Sequence, residues 1–374
     1  MKTIILICFG VTLTFRVTAQ ADSITTPFSF ESDFRFRVEQ DRKNRTSESM
    51  YLPNRMRYRY RARFGVTYQY QWLNVGLRIR TGNPDKQQDP QLTIGDSFED
   101  IPIVTEKAYM QGQWDDFSVW LGQNTFPFEK NNELFWSDQV FPWGIFLDHS
   151  IPIESNLFNH MSIRGGHFYI PSRYNLPEID SYVQGVQLLI QLLQHRLSLF
   201  PSYYLFHQMP NIPDGAESFH MDYRIFHLGS KFTLAYAPMI QFEVDYYKNS
   251  QQHQTLPIFP QSLKSQNTGL VIGISFGELK NKGDWFFKPS YAYLERYAAV
   301  DFLAQNDWAR WDYSSYGSPD GRLTNFRGFE LVAGYKIHDK VTLKIKQYQV
   351  KQLISTGTSK ETSHRFRFDI DVVF

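Results

Sequence analysis

The chain has a single cysteine, Cys8, so it offers no second thiol for an internal disulfide and must fold without that cross-link. Long apolar runs are missing as well: nothing after residue 19 supplies the 18 or more apolar residues of a membrane-spanning helix. Charge of one sign is missing too, since 39 Lys and Arg face 38 Asp and Glu for a net of +1. With no basic arm or recognition motif, that balance excludes a nucleic-acid partner. The ten histidines are scattered, no His-x3-His or Cys pair has metal-ligand spacing, and no glycine run opens a phosphate loop. No metal or cofactor is expected. Aromatic residues, by contrast, are abundant: 17% of the chain, with 32 Phe and 22 Tyr.

The start of the chain reads as an export signal. Met1-Lys2 is positive, Ile4 to Phe15 is apolar, and Val17-Thr18-Ala19 supplies small residues at a cleavage point. We expect residues 1–19 to be a signal peptide, 20–30 a short periplasmic segment and 31–374 one outer-membrane domain. At the other end, Phe366, Phe368, Ile370, Val372 and Phe374 alternate with Arg365, Arg367, Asp369 and Asp371. Successive strand side chains point to opposite faces, so this strand has one apolar and one charged face. Lipid outside and water inside would require that pattern. Phe374 is the expected assembly signal for the barrel-insertion machinery.

Alternation recurs along the whole chain, and its interruptions fall into two classes that take turns. Short ones cover 71–74, 114–117, 151–158, 194–196, 235–238, 278–284 and 337–340. Long polar ones cover 40–54, 82–104, 126–142, 171–181, 208–220, 249–266, 299–325 and 353–362. Tight periplasmic turns and long outer loops give that asymmetry in an up-and-down barrel. The expected spans are 31–39, 55–70, 73–81, 105–114, 117–125, 143–150, 159–170, 182–193, 196–207, 221–233, 238–248, 267–277, 285–298, 326–337, 341–352 and 363–374. The fold class is therefore all-β: a transmembrane antiparallel barrel of about 16 strands with both termini periplasmic. The pattern blurs between residues 143 and 235.

Arg55, Arg57, Arg59, Arg61 and Arg63 occupy alternate positions, with Met56, Tyr58, Tyr60 and Ala62 between them. Arg35 and Arg37 repeat the arrangement one strand earlier, Arg78 and Arg80 one strand later. An arginine at the lipid midplane costs about 2–4 kcal/mol, so this face must line the lumen. Such a strip would attract anions; alternatively it serves only to pair with Asp33, Glu39 and Asp41. The 126–142 loop carries Glu129, Glu133 and Asp138 beside Phe135, Trp136, Phe141 and Trp143. So many aromatics suit a loop folded against the wall, where it would narrow the channel and set acid against the arginines; packing at the rim is the other reading.

The residues Arg57–Gly65, Gly76–Gly82, Leu92–Asp96, Glu106–Tyr109, Trp136-Ser137-Asp138, Trp143-Gly144, Lys282–Trp285, Thr324–Gly328 and the final strand together resemble a bacterial family of outer-membrane porins. The resemblance covers nearly the whole barrel in order and implies a diffusion channel rather than a reaction. Two departures stand out: the acidic run after the loop tryptophan is thinned to Ser137-Asp138-Gln139, and a helical stretch ahead of the barrel is missing. Alginate-export barrels are a more distant cousin with arginine-lined strands.

Catalysis has thin support. His149-Ser150 and His160 with Ser162 lack an evident orienting carboxylate or oxyanion donor, so no catalytic residue is assigned. The expectation is a Gram-negative outer-membrane porin that passes small hydrophilic, anionic solutes or ions. Acidic oligosaccharides are the alternative cargo. Its partners are membrane lipid, the assembly machinery and a homotrimer, although no sheet surface is marked as a subunit face.

Overall fold

The computed structural model describes residues 27–83, 88–95, 101–153, 155, 157–170, 181–211, 220–251, 260–310, 318 and 320–374. The expected signal peptide and Cys8 lie outside these. Sixteen long strands form one closed antiparallel barrel, and a two-residue strand is inserted beside them. In order they are β1 Phe28–Arg45, β2 Arg55–Tyr70, β3 Leu73–Thr81, the short β4 Leu92–Thr93, β5 Ile103–Gln113, β6 Phe117–Gln123, β7 Trp143–Ile151, β8 Phe158–Tyr169 and β9 Tyr182–Leu192. There follow β10 Leu197–Pro210, β11 His220–Tyr236, β12 Met239–Asn249, β13 Thr268–Gly277, β14 Trp285–Leu294, β15 Phe326–His338, β16 Val341–Gln352 and β17 Thr362–Val373.

Each long strand pairs with its neighbours in sequence, and β1 pairs with β17 to close the ring. β4 continues the sheet beside β2 where β3 has ended, pairing Thr93 with Arg59. Every expected span has its strand, with boundaries moved by a few residues. The largest shifts are in β1, which runs on to Arg45, and β14, which stops at Leu294 because the chain then turns inward.

Alternation puts the tyrosines of β2 outside and the arginines inside: Tyr58 is 48% exposed and Arg59 3%. The outer surface is continuous in apolar residues and carries a ring of aromatics near the short turns. Tyr70, Trp72, Trp114, Tyr236, Trp285 and Tyr335 belong to it, and Trp72 stacks on Trp114 with centroids 5.5 Å apart.

The inner surface has two unlike halves. β1, β2, β3, β5, β16 and β17 carry charge: Arg37, Glu39, Arg59, Arg61, Glu106 and Asp369 are all buried there. β6 to β12 instead carry Trp120, Phe146, Phe168, Val183, Phe200, Tyr204, Phe206 and Tyr247, also buried. Along much of β6 to β11 the inward residues are thus as apolar as the outward ones, which weakens the alternation and accounts for the blurred reading between 143 and 235.

Candidate functional site

What covers the aromatic half of the wall is the 126–142 loop, folded into the barrel. Phe126, Phe128, Leu134, Phe135, Trp136, Val140 and Phe141 are all buried. Phe126 stacks on Trp136 at 4.3 Å, and Phe135 stacks on Tyr247 at 5.4 Å. Phe128 meets Phe146, Phe168 and Tyr204 edge-on at 5.7, 6.2 and 5.3 Å. Its seat exists because Gly185 has no side chain: a Cβ there would stand 2.7 Å from the Phe128 ring and 2.9 Å from Tyr204. Burying one phenylalanine stabilises such a seat by roughly 1.5–3 kcal/mol.

Polar anchors carry the loop across the lumen. Gln187 on β9 accepts from the Glu129 N–H at 2.8 Å and donates to the Glu129 carbonyl at 3.0 Å. Asn131 donates to the Ser230 carbonyl of β11 at 3.0 Å, and Asn132 donates to Asp245 of β12 at 2.7 Å. Asp245 also holds the buried His227 Nε2 at 2.8 Å. At the loop's other end Gln139 accepts from Arg61 at 2.9 Å and from Arg63, both on β2. The loop thus touches opposite sides of the barrel.

A second loop, unexpected from the sequence, folds in beside it. The 299–325 segment reads as a long polar outer loop, yet Ala299, Val300, Phe302, Leu303, Trp308 and Ala309 are buried. The two loops share main-chain bonds: Ser137 N–H donates to Leu303 O at 2.7 Å and Gln305 N–H to Glu133 O at 3.0 Å. Trp308 stacks on Phe326 at 5.8 Å. Asp307 pairs with Arg367 and accepts from the Tyr348 hydroxyl at 2.7 Å, while the Asn306 carbonyl accepts from Arg365 at 2.8 Å. Asp301 holds the returning end of the loop by accepting from the Arg322 and Leu323 N–H groups at 2.9 and 2.8 Å. The signal was there in Ala298-Ala299-Val300, Phe302-Leu303 and Trp308, an apolar rhythm too dense for a solvated loop.

The nine arginines singled out from sequence come together on one inner surface, and carboxylates meet them. Arg35 pairs with Asp371 at 2.5 Å, Arg37 with Asp369 at 2.6 Å, Arg55 with Asp41 at 2.6 Å and Arg57 with Glu39. Arg59 meets Asp89 at 2.6 Å, Arg61 meets Asp33 at 2.9 Å, and Arg63 and Arg78 both meet Glu106 at 2.7 Å. Arg80 lies 3.8 Å from Glu106. Beyond the nine, Arg365 pairs with Asp41 at 2.6 Å and Arg367 with Glu39 at 2.5 Å. Desolvated ions need this compensation, since an unpaired buried charge costs several kcal/mol. Burial alone would raise the Asp89 carboxyl, but Arg59 beside it holds it below the usual carboxylate range.

Of the three loop carboxylates, only Glu133 lines the cleft between the two loops and the charged wall. Its Oε2 accepts from the Asp138 N–H at 3.0 Å and Ser137 Oγ at 3.3 Å. Glu129 turns to Lys231 at 3.7 Å, and Asp138 to Lys130. The acid-against-arginine contrast therefore narrows to Glu133, joined by Asp89 and Asp307. The cleft measures about 40 Å³, room for a few water molecules, and Arg35, Arg37, Arg61, Lys346 and Arg367 are its cations. A larger cavity of about 300 Å³ shares Glu133, Gln305 and Lys346 with it. Lys346 forms no ion pair among the described residues and borders both spaces. Nothing in the sequence distinguishes it from Lys344, which pairs with Asp371 at 3.2 Å.

The other candidates stay apart. The buried Ser162 hydroxyl has no hydrogen-bond partner among the described residues, so no histidine activates it. His149 Nδ1 faces the Asp116 carbonyl at 3.2 Å. Phe374 closes the chain on the outer face near the short turns, its N–H donating to Ser32 O at 3.0 Å.

No family model and no curated protein matches the chain. Solved structures do. OprB of Pseudomonas putida, in its high-pH structure, superposes with a TM-score of 0.58 at 11% identity, covering 93% of this chain and 94% of that one. A triple mutant of the Rhodopseudomonas blastica porin covers 93% and 100% at 10% identity, with a TM-score of 0.49. The likeness to OprB establishes the fold, a porin-type barrel.

Proposed function

We propose that the protein is an outer-membrane diffusion channel for small hydrophilic solutes with a preference for anions. An apolar outer belt with an aromatic ring, around a charged interior, is the surface a lipid bilayer selects. No covalent step or cofactor enters; solutes cross by hindered diffusion, sorted by width and wall charge. The observation that carries the reading is the cleft between the in-folded loops and the charged wall, where five cations face Glu133, Asp89 and Asp307.

Because the guanidiniums are already paired, the preference is modest and rests chiefly on Lys346. Each arginine sees a carboxylate within 4 Å, and the fields of such pairs largely cancel a few ångströms away. The family-level porin resemblance, engagement of Phe374 by the assembly machinery and a homotrimeric state belong to the same proposal. An acidic oligosaccharide would fit only with the loops displaced, since the cleft holds just a few waters.

Reversal potential in a KCl gradient across a planar bilayer tests it. The wild type should sit on the chloride side of zero. Lys346→Gln should bring it back toward zero by more than Arg61→Gln does. A cation-selective wild type, or the absence of any channel current, would overturn the proposal.

A further inference from the structure

The nine arginines of the inner wall each meet a carboxylate, whereas a second group of cations, on the outer wall, does not. Arg42, Lys43, Arg327 and Lys351 are exposed and form no ion pair among the described residues. Register brings them into one patch at the long-loop end of β15, β16, β17 and β1. Arg327 lies opposite Lys351, Gln349 opposite His364, and His364 opposite Arg42. Two open grooves meet at His364. One, about 350 Å³, is lined by Arg42, Lys43, Gln347 and Phe366; the other, about 440 Å³, by Arg327, Lys351, Tyr291 and Phe329.

We infer that this patch binds the phosphorylated headgroup of a lipid in the outer leaflet, a conclusion that rests on the outer-membrane reading above. The position supports it. Farther along the same strands the outer residues are Leu331, Ile345, Phe368 and Val38, which belong to the apolar belt. The cations begin where the belt ends, at the depth where an arginine costs only about 0–1 kcal/mol rather than the midplane figure. A guanidinium presents a fork that matches phosphate oxygens, and the aromatic floor supplied by Phe366 and Phe329 suits the sugar and acyl portion below them. A free inorganic anion would find the same charges but no use for that floor. Arg327 and Arg42 stand three strand spacings apart, roughly 14 Å, so a diphosphorylated headgroup or two adjacent ones would span the patch. Glu295, at the end of neighbouring β14, is committed to the Asn267 and Thr268 N–H groups at 2.7 Å each.

The test uses the detergent-purified barrel incubated with diphosphoryl lipid A, with its dephosphorylated form, or with inorganic phosphate as competitor, and counts retained lipid by native mass spectrometry. The wild type should retain the diphosphorylated lipid at least tenfold over the dephosphorylated one. A combined Arg42→Gln, Lys43→Gln, Arg327→Gln, Lys351→Gln variant should lose that tenfold while keeping its heat-resistant folded band and its channel conductance, because none of the four faces the lumen. Lys43→Gln alone, at the exposed irregularity near the end of β1, provides a partial-loss check should the combined variant fold poorly. Equal retention by the variants, equal retention of the dephosphorylated lipid, or displacement by equimolar phosphate would each overturn the inference. Retained lipid without channel current would sink the diffusion reading alone; current without retained lipid would sink this one alone.

Discussion

Removing the Phe128 ring should unseat the 126–142 loop. The ring fills a recess made by Gly185 and walled by Phe146, Phe168 and Tyr204, and it is 3% exposed. Truncating a buried phenylalanine costs about 3–5 kcal/mol. If the whole cost falls on the loop, the ratio of seated to released loop drops about 10²- to 4 × 10³-fold. The polar anchors at Gln187, Ser230 and Asp245 remain, each worth roughly 1 kcal/mol, and they cannot compensate. Gly185→Ala attacks the same seat from the opposite direction, since its Cβ would press into Phe128 and Tyr204. Both variants should show conductance steps above the wild-type level in single-channel recordings, and faster amide exchange over residues 126–142. The reasoning fails if Phe128→Ala lowers barrel stability by the full amount while conductance and loop exchange stay at wild-type values. That result would make Phe128 a core residue with no part in holding the lumen narrow.

Three further outcomes follow from the charged half. Asp307→Asn withdraws a negative charge from the cleft and the partner of Arg367 and Tyr348; reversal potential should move further toward chloride, and a move the other way would refute the assignment of Asp307 to the solute path. Glu39→Gln takes the shared carboxylate from Arg57 and Arg367, leaving Asp41 at 3.7 Å to the one and Asp307 to the other, and urea unfolding should show a loss of about 3–5 kcal/mol; a loss under 1 kcal/mol would show the network to be redundant. Burial would push the Asp320 carboxyl up, but Arg310 at 3.1 Å and Ser318 hold it below its ordinary value. Its contribution is then complete above the unfolded value near 3.8 and is lost as pH falls through the lower folded value. Protease protection of the 299–325 loop should be flat from pH 8 to 5 and decline only below about pH 4; a decline near neutrality would assign the loop's hold to other groups.

The barrel was legible wherever the two wall faces differ in polarity. β2 shows it best, since tyrosines outside and arginines inside can be read directly from alternate positions. Between β7 and β11 the inner partner is a protein loop rather than water, so Phe146, Phe168 and Tyr204 repeat the chemistry of the outer face and the period vanishes. The arginines were legible as an inner strip, and Asp33, Glu39 and Asp41 as possible partners. Cross-strand neighbours such as Asp369 and Glu106 were not, because strand register, across the barrel seam for Asp369 and across the long 82–104 connection for Glu106, cannot be read from alternation alone. The special place of Lys346 was hidden for the same reason. Length and long-loop position made 299–325 look solvated, although its apolar rhythm could have placed it inside.

The join between first and last strands carries its own proofreading. Along it, Arg35, Arg37, Glu39 and Asp41 lie opposite Asp371, Asp369, Arg367 and Arg365. Sliding β17 by two residues one way sets Arg37 against Arg367 and Asp33 against Asp371; sliding it the other way sets Glu39 against Asp369. Like charges directly opposite are penalised, and a slip of one residue would turn the ionic side toward hydrocarbon. The ends of the chain therefore accept each other in a single alignment, and a cylinder sealed in any other would be marked by its own electrostatics as unfinished.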